Sequence, residues 1–183
     1  MTQRSDWRSR AAKVRLIALD VDGVLTDGSV VFSSSGDELK SFHILDGMGM
    51  RLAMGAGITV AVISGRHSSP VQLRMAELGV GDVIQGVSDK AAALRDLCAR
   101  TGIGQEQTAF IGDDLNDLPA FAACGFRIAV ANAVDEVKRA ADVVTNRSGG
   151  AGAVREAVEL ILKAQGRWES VVSGFQRPDR TDS

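Results

Sequence analysis

The sequence predicts an α/β chain: a single doubly wound, Rossmann-like domain with a mostly parallel sheet and a β-hairpin flap inserted after the first strand. Three observations predict it. Short apolar runs at 14–19, 58–63, 108–111 and 126–130 alternate with segments of helical periodicity, the order that builds a parallel sheet flanked by helices. Three of these runs end in Asp, Ser or Gly, and the carboxyl ends of parallel strands are where open α/β sheets bind ligands. Finally, the 183 residues, 45% hydrophobic, show neither an internal repeat nor a second core, so they suit one domain.

Bulk properties exclude several function classes. A net charge of -2, no Tyr and 4% aromatic residues supply neither the electrostatic footprint nor the stacking platform of a nucleic-acid binder. Cys98 and Cys124 stand in unrelated segments without metal-ligand spacing and read as reduced thiols of a cytoplasmic protein. Residues 1–12 are polar and Arg-rich, lacking the apolar stretch of a signal peptide, and are expected to form a disordered leader. No segment is long and apolar enough to span a membrane. The ordered domain is expected over 13–165 and a flexible tail over 166–183.

The stretch KVRLIALDVDGVLTDGS at 13–29 carries the first chemistry. Its apolar run reads as a buried parallel strand ending in Asp20-Val21-Asp22-Gly23, with Gly23 allowing a sharp turn. Two carboxylates arrive there with no Lys or Arg among them, so a hard divalent cation such as Mg²⁺ is the expected partner. Alone, the motif would read as a solvated turn; the later acids change that. Residues 28–42 hold two short strand-like runs around Ser33-Ser34-Ser35-Gly36-Asp37, a hairpin signal. Its place directly after the acidic loop favours a flap or an oligomer contact.

Residues 43–57 follow, with a helix expected to start near Asp46-Gly47. The strand at 58–63 delivers Ser64-Gly65-Arg66, a hydroxyl and amides suited to a phosphoryl oxygen. A helix at 70–78 carries Arg74, about two turns beyond Arg66, so both guanidiniums are expected to reach one anion. Lys90 falls in the first turn of a helix at 88–100, where a cation opposes the macrodipole unless an anion is close. The strand at 108–111 then leads to Gly112-Asp113-Asp114-Leu115-Asn116-Asp117, a second group of acids at a strand's carboxyl end. The glycine-rich run 149–152 lacks the GxGxxG spacing and does not follow the first strand, so a nucleotide-binding reading is rejected.

The pieces DVDGVLTDG, KSFHILDGMGMR, ISGR, GDDLNDLPAFAACG and GGAGAVREAVELILKAQG together resemble a known pattern. The first is similar to the opening motif of the haloacid dehalogenase-like superfamily of phosphohydrolases. The match over about 13–166 resembles the 3-deoxy-D-manno-octulosonate 8-phosphate phosphatase family. The resemblance implies a Mg²⁺-dependent cytoplasmic phosphatase of lipopolysaccharide precursor synthesis. It implies Asp20 as nucleophile and metal ligand, Asp22 as general acid/base with its carbonyl on the metal, and Asp113 as the remaining ligand, with Asp114 and Asp117 supporting from behind. Ser64 and Lys90 match the positions that hold the phosphoryl group. Asp22, His43, Ile44, Leu45, Asp46, Gly47, Arg51, Arg66, Arg74 and Lys90 fall where the family contacts substrate. It also implies a homotetramer without a cap domain, hairpins at the interface, and a mobile tail that closes a neighbouring site. Leu45 stands where several members carry Arg, which leaves open a related nine-carbon keto acid 9-phosphate. A non-catalytic sugar-phosphate-binding module is the alternative from another class; the intact acids oppose it.

Overall fold

Strand β1 (Leu16–Leu19) is the axis of the fold: all four residues are buried, as a strand covered by helices on both faces requires. It pairs in parallel with β4 (Thr59–Ile63) on one side and β6 (Thr108–Gly112) on the other, Leu16 lying opposite both Thr59 and Thr108. With β5 (Asp82–Ile84), β7 (Phe126–Ala129) and β8 (Val143–Val144), these strands make a six-stranded sheet of order β5-β4-β1-β6-β7-β8. Every pairing in it is parallel. The computed structural model describes residues 7–176; the first part of the expected leader, 1–6, and the end of the expected tail, 177–183, lie outside the described residues.

The winding reverses at β1. The chain leaves it through α2 (Ile44–Gly55) to β4, continues through α3 (Ser69–Leu78) to β5, and crosses back through α4 (Lys90–Thr101) to β6. Then α5 (Leu118–Ala122) and α6 (Asp135–Ala140) carry it outward to β8, and α7 (Ala153–Ala164) returns beside α2. Helix α2 packs against both α3 and α7, and α5 against both α4 and α6, giving the two covering layers. The reversal puts the carboxyl ends of β1, β4 and β6 side by side, the crevice where such sheets take ligands. The core includes Phe110 of β6, met edge-on by Phe121 of α5 at 6.2 Å.

The hairpin is present as β2 (Val31–Phe32) and β3 (Glu38–Leu39), antiparallel, with Val31 opposite Leu39. It forms a separate two-stranded sheet.

Two expectations about the chain ends are corrected. Trp7–Ala11, assigned to a disordered leader, is helix α1. Trp7 and Ala11 are one turn apart and share a face; Ala11 is buried, the Trp7 ring stacks on Phe126 at 6.5 Å, and Arg10 Nη1 donates to Asp142 Oδ1 at 2.9 Å. The tail begins as helix α8 (Trp168–Gln176). Trp168, Val171, Val172 and Phe175 looked like isolated apolar residues, yet their spacing of three, one and three is one helical stripe. Trp168 is held by Arg155 and Lys163 of α7, whose charges sit 5.4 and 5.3 Å from its ring. No residue of α8 is fully buried.

Candidate active site

The loop after β1 is shaped by its own backbone. Val21 O accepts the N–H groups of Val24, Leu25 and Thr26, and the buried Thr26 hydroxyl oxygen accepts those of Gly23 and Gly28. Gly23 has φ +87°, and a Cβ there would run into the Asp113 carboxylate. The turn thus needs glycine for its conformation and for the approach of a second acid. The rejected glycine run has a packing role at this place: Gly149 lies on the Gly23 carbonyl, and Asn132 bridges the two, donating to Gly23 O at 3.0 Å and accepting from Gly149 N–H at 2.6 Å.

A cleft of about 250 Å³ opens at the switch point, lined by Asp20, Asp22, Gly28, Ser64, Gly65, Arg66, Asp113, Asp114 and Asn116. A larger groove of about 680 Å³ lies between α2 and α8, but it has no carboxylate, and the titratable chemistry belongs to the smaller cleft. There Lys90 is buried with its ammonium 2.8 Å from Asp20 Oδ2 and 2.6 Å from Asp117 Oδ1. These are the anions that a lysine at a helix start calls for. The second oxygen of Asp117 accepts the N–H groups of Asp113 and Asp114, at 2.9 and 3.4 Å. Asp117 is therefore occupied in supporting Lys90 and the Asp113 loop. Asp114 caps the short turn that follows, accepting from Leu115 N–H at 2.7 Å. Ser64 is buried at the end of β4, its Oγ accepting Arg66 N–H at 3.3 Å.

The electrostatics are those of an acid cluster short of positive charge. Burial, then the nearby Asp117, raises Asp20 to about 6 against the opposing pull of Lys90. Burial, then Asp117, Asp20 and Asp114, raises Asp113 to about 7. Lys90 is pulled down by burial, yet the two carboxylates outweigh this and raise it. Among the described residues, Asp113 Oδ1 is a buried side-chain oxygen with no hydrogen-bond partner, and carboxylate oxygens of Asp20, Asp113 and Asp117 lie within 4.8 Å of one another. An orphaned oxygen among hard donors fits a small divalent cation such as Mg²⁺.

Several expectations change. The acids after β1 do have cationic partners, supplied from far along the chain: Lys90 for Asp20, and Lys40 for Asp22. Arg66 and Arg74 do not converge, since Arg66 pairs with Glu38 and Asp22 whereas Arg74 pairs with Glu77. Asp46 does not face the cleft. Its buried carboxylate accepts Gly152 N–H at 3.1 Å and Arg155 N–H at 2.9 Å, capping the start of α7, and burial raises it against those bonds. Gly47 is turned to α3, where a Cβ would lie 2.5 Å from Arg74 Nη2. His43 caps α2, its Nδ1 accepting from Leu45 N–H at 3.2 Å. Arg51 donates to Glu77 O and lines the larger groove. Ile44 and Leu45 are exposed, Ile44 by 76%. None of residues 43–51 lines the acidic cleft of its own chain. Sequence reasoning missed Lys40, Glu38, Asn116 and Asn132; only Lys40 left a signal, a cation at the foot of a hairpin that itself follows an acidic loop.

Comparison with known proteins places this geometry. Residues 76–157 match the haloacid dehalogenase-like hydrolase family. The 3-deoxy-D-manno-octulosonate 8-phosphate phosphatase of Haemophilus influenzae is 46% identical over 160 residues, 87% of this chain and 89% of that protein. The structure of the Moraxella catarrhalis phosphatase of the same name, in complex with magnesium, phosphate and 3-deoxy-D-manno-octulosonate (KDO), superposes with a TM-score of 0.91 at 42% identity, covering 93% of this chain and 98% of that one. The cobalt-bound H. influenzae phosphatase gives 0.88 at 45%, covering 92% and 99%. Identity and coverage of this extent establish that the chain belongs to the 3-deoxy-D-manno-octulosonate 8-phosphate phosphatase family of haloacid dehalogenase-like phosphoric monoester hydrolases.

Proposed function

We propose that this chain hydrolyses 3-deoxy-D-manno-octulosonate 8-phosphate to the free sugar acid and phosphate, in lipopolysaccharide precursor synthesis in the cytoplasm. The observation that carries the chemistry is the orphaned oxygen of Asp113, whose carboxylate clusters with that of Asp20 at the cleft, Lys90 being paired with Asp20. Asp20, Asp113 and the Asp22 carbonyl would hold Mg²⁺, which when bound offsets the repulsion between a phosphate and a carboxylate nucleophile. Lys90 holds one oxygen of Asp20. The Asp20 carboxylate attacks phosphorus, a new P–O bond forming as the bond to the sugar oxygen breaks, and Asp22 passes its proton to the departing alkoxide. Asp22 then takes a proton from the water that attacks the phosphoryl-aspartate, releasing phosphate and restoring Asp20. The Ser64 hydroxyl and Lys90 stand where charge collects on the phosphoryl oxygens.

Specificity is the less complete half. Residues 43–51 would contact the sugar acid from a neighbouring copy in a homotetramer. That reading is supported by the exposed apolar residues Val30, Val31, Phe32 and Leu39 of the hairpin and by exposed Ile44, Leu45 and Met48 at the start of α2. The tail beyond Gln165 would help close a neighbour's site. Leu45, replacing a cation expected from the resemblance, favours a second reading in which a nine-carbon keto acid 9-phosphate is the substrate. Phosphate release from both acids with Mg²⁺, before and after EDTA, decides the matter. Preference for the nine-carbon acid overturns the first substrate, and turnover of neither in Mg²⁺ overturns the function.

A further inference from the structure

We infer that Lys40 is a positioning residue for Asp22, held in turn by Glu38, so that the hairpin sets the orientation of the group that moves the proton; this rests on the role proposed for Asp22. The Lys40 side chain is 1% exposed, and its ammonium contacts Asp22 Oδ1 and stands 3.5 Å from Glu38 Oε1. Lysine is seldom buried unless paired, and burying its charge is costly unless the partners are well placed. An apolar residue would fill the space without that cost, so the charge has a use at this place.

Asp22 is flanked on its other side, Arg66 Nη1 lying 3.8 Å from Oδ2. Glu38 ties both cations together: Arg66 Nη2 donates to its Oε1 at 2.7 Å, and the buried Ser68 hydroxyl donates to Oε2 at 2.6 Å. Ser68, at the start of α3, is itself anchored, its N–H donating to Gln85 Oε1 just after β5 at 2.8 Å. Asp22 itself sits on a loop rather than in a strand. Proton transfer requires its carboxyl to stay within about 2.6–3.2 Å of the leaving oxygen, and a displacement of about 1 Å can cost on the order of 100-fold in rate. Lys40, Glu38 and Ser68 form a chain from the hairpin to α3 that removes this freedom.

A purely structural ion pair and a positioning one differ in what they do to different leaving groups. The full-length protein with saturating Mg²⁺ is compared as Lys40→Met, Lys40→Arg, Glu38→Gln and Asp22→Asn, on 3-deoxy-D-manno-octulosonate 8-phosphate and on p-nitrophenyl phosphate, whose leaving group needs no proton. Lys40→Met is expected to lower kcat on the sugar phosphate by about 10- to 100-fold with KM little changed, while losing far less on p-nitrophenyl phosphate. Lys40→Arg should recover most of the loss, and Glu38→Gln, which keeps Lys40 but loosens it, should show the same split more weakly. Equal losses on both substrates, a change confined to KM, or an Arg variant as poor as Met would each overturn the inference. Should Lys40→Met fold poorly by its melting temperature, the split in Glu38→Gln decides alone. If Asp22→Asn shows the leaving-group split and the Lys40 and Glu38 variants do not, the positioning role fails and the reading of Asp22 stands. If Asp22→Asn itself shows no split, both fall.

Discussion

The two ends of the substrate are served by unlike regions. On the proposed function, the phosphoryl end would meet Asp20, Ser64 and Asp113, each at the end of a buried parallel strand of one sheet, where registers of Leu16 with Thr59 and Thr108 fix their separation. The end expected to hold the sugar meets residues 43–51, on the first turns of one helix, with Ile44 and Leu45 in solvent and Arg51 on another groove. The proposed reacting groups gather in one chain's cleft, whereas residues 43–51 do not line it. A sheet core holds a reaction geometry at no cost in mobility, whereas an exposed helix end can be completed by whatever packs on it.

Variants that separate the two regions test this contrast. The largest effect belongs to Asp20→Asn, which removes the proposed anionic nucleophile: activity should fall on the order of 10⁴-fold or more on the sugar phosphate and on p-nitrophenyl phosphate alike. Residual turnover near wild type on either substrate would refute a phosphoryl-aspartate. Next is Asp22→Asn, expected to lose about 10²- to 10⁴-fold on the sugar phosphate and distinctly less on p-nitrophenyl phosphate; steady-state kinetics on the pair reads the difference directly.

Truncation after Gln165 tests the proposed recognition side. Since α8 has no fully buried residue, the fold should persist by circular dichroism, while kcat and KM for the sugar phosphate shift by roughly 10-fold, the scale of lost closing contacts. Unchanged kinetics would leave α8 a passive extension.

The smallest effect is on stability against pH. Asp20 and Asp113, raised to about 6 and about 7 from 3.8, bind protons more tightly when folded. Their contribution is therefore fully present below about pH 4 and lost as pH rises through 6 to 7. In metal-free protein, Asp113→Asn should flatten the fall in melting temperature over that window, and Mg²⁺ should raise the melting temperature more at pH 8 than at pH 5. A Mg²⁺ effect independent of pH would refute the placement of the cation.

How far the sequence revealed this follows from what kind of interaction placed each residue. Apolar runs ending in Asp20, Ser64 and Asp113 were legible because strand burial and topology alone bring those ends together. Lys90 was legible because a cation at a helix start needs an anion. The resemblance named Asp46 and Gly47 as substrate contacts, but helical rotation turns both inward, to the start of α7 and to α3; a family position does not say which way a side chain points. Lys40 was missed because its partners, Asp22 and Glu38, are joined to it only by the fold of the hairpin. The leader and tail were misread because a single Trp7 or a stripe from Trp168 to Phe175 carries little apolar weight until a distant part of the chain packs on it, Phe126 of β7 for the one and α7 for the other.

The inward turn of Asp46 has a consequence for how this enzyme can diversify. Gly49 lies so close to α7 that a Cβ would stand 2.9 Å from Arg155 Cα, and with Asp46 and Gly47 it pins one side of α2 against its neighbours. Ile44, Leu45 and Met48, on the other side, carry no such obligation. A library randomised at those three positions should yield folded proteins at high frequency and altered acceptance of sugar acids, whereas the same library at 46, 47 and 49 should yield mostly insoluble ones. On the proposed function, mutational tolerance and selectivity would then sit on the same side of one helix, a short, replaceable strip for new substrates that leaves the proposed reacting acids untouched.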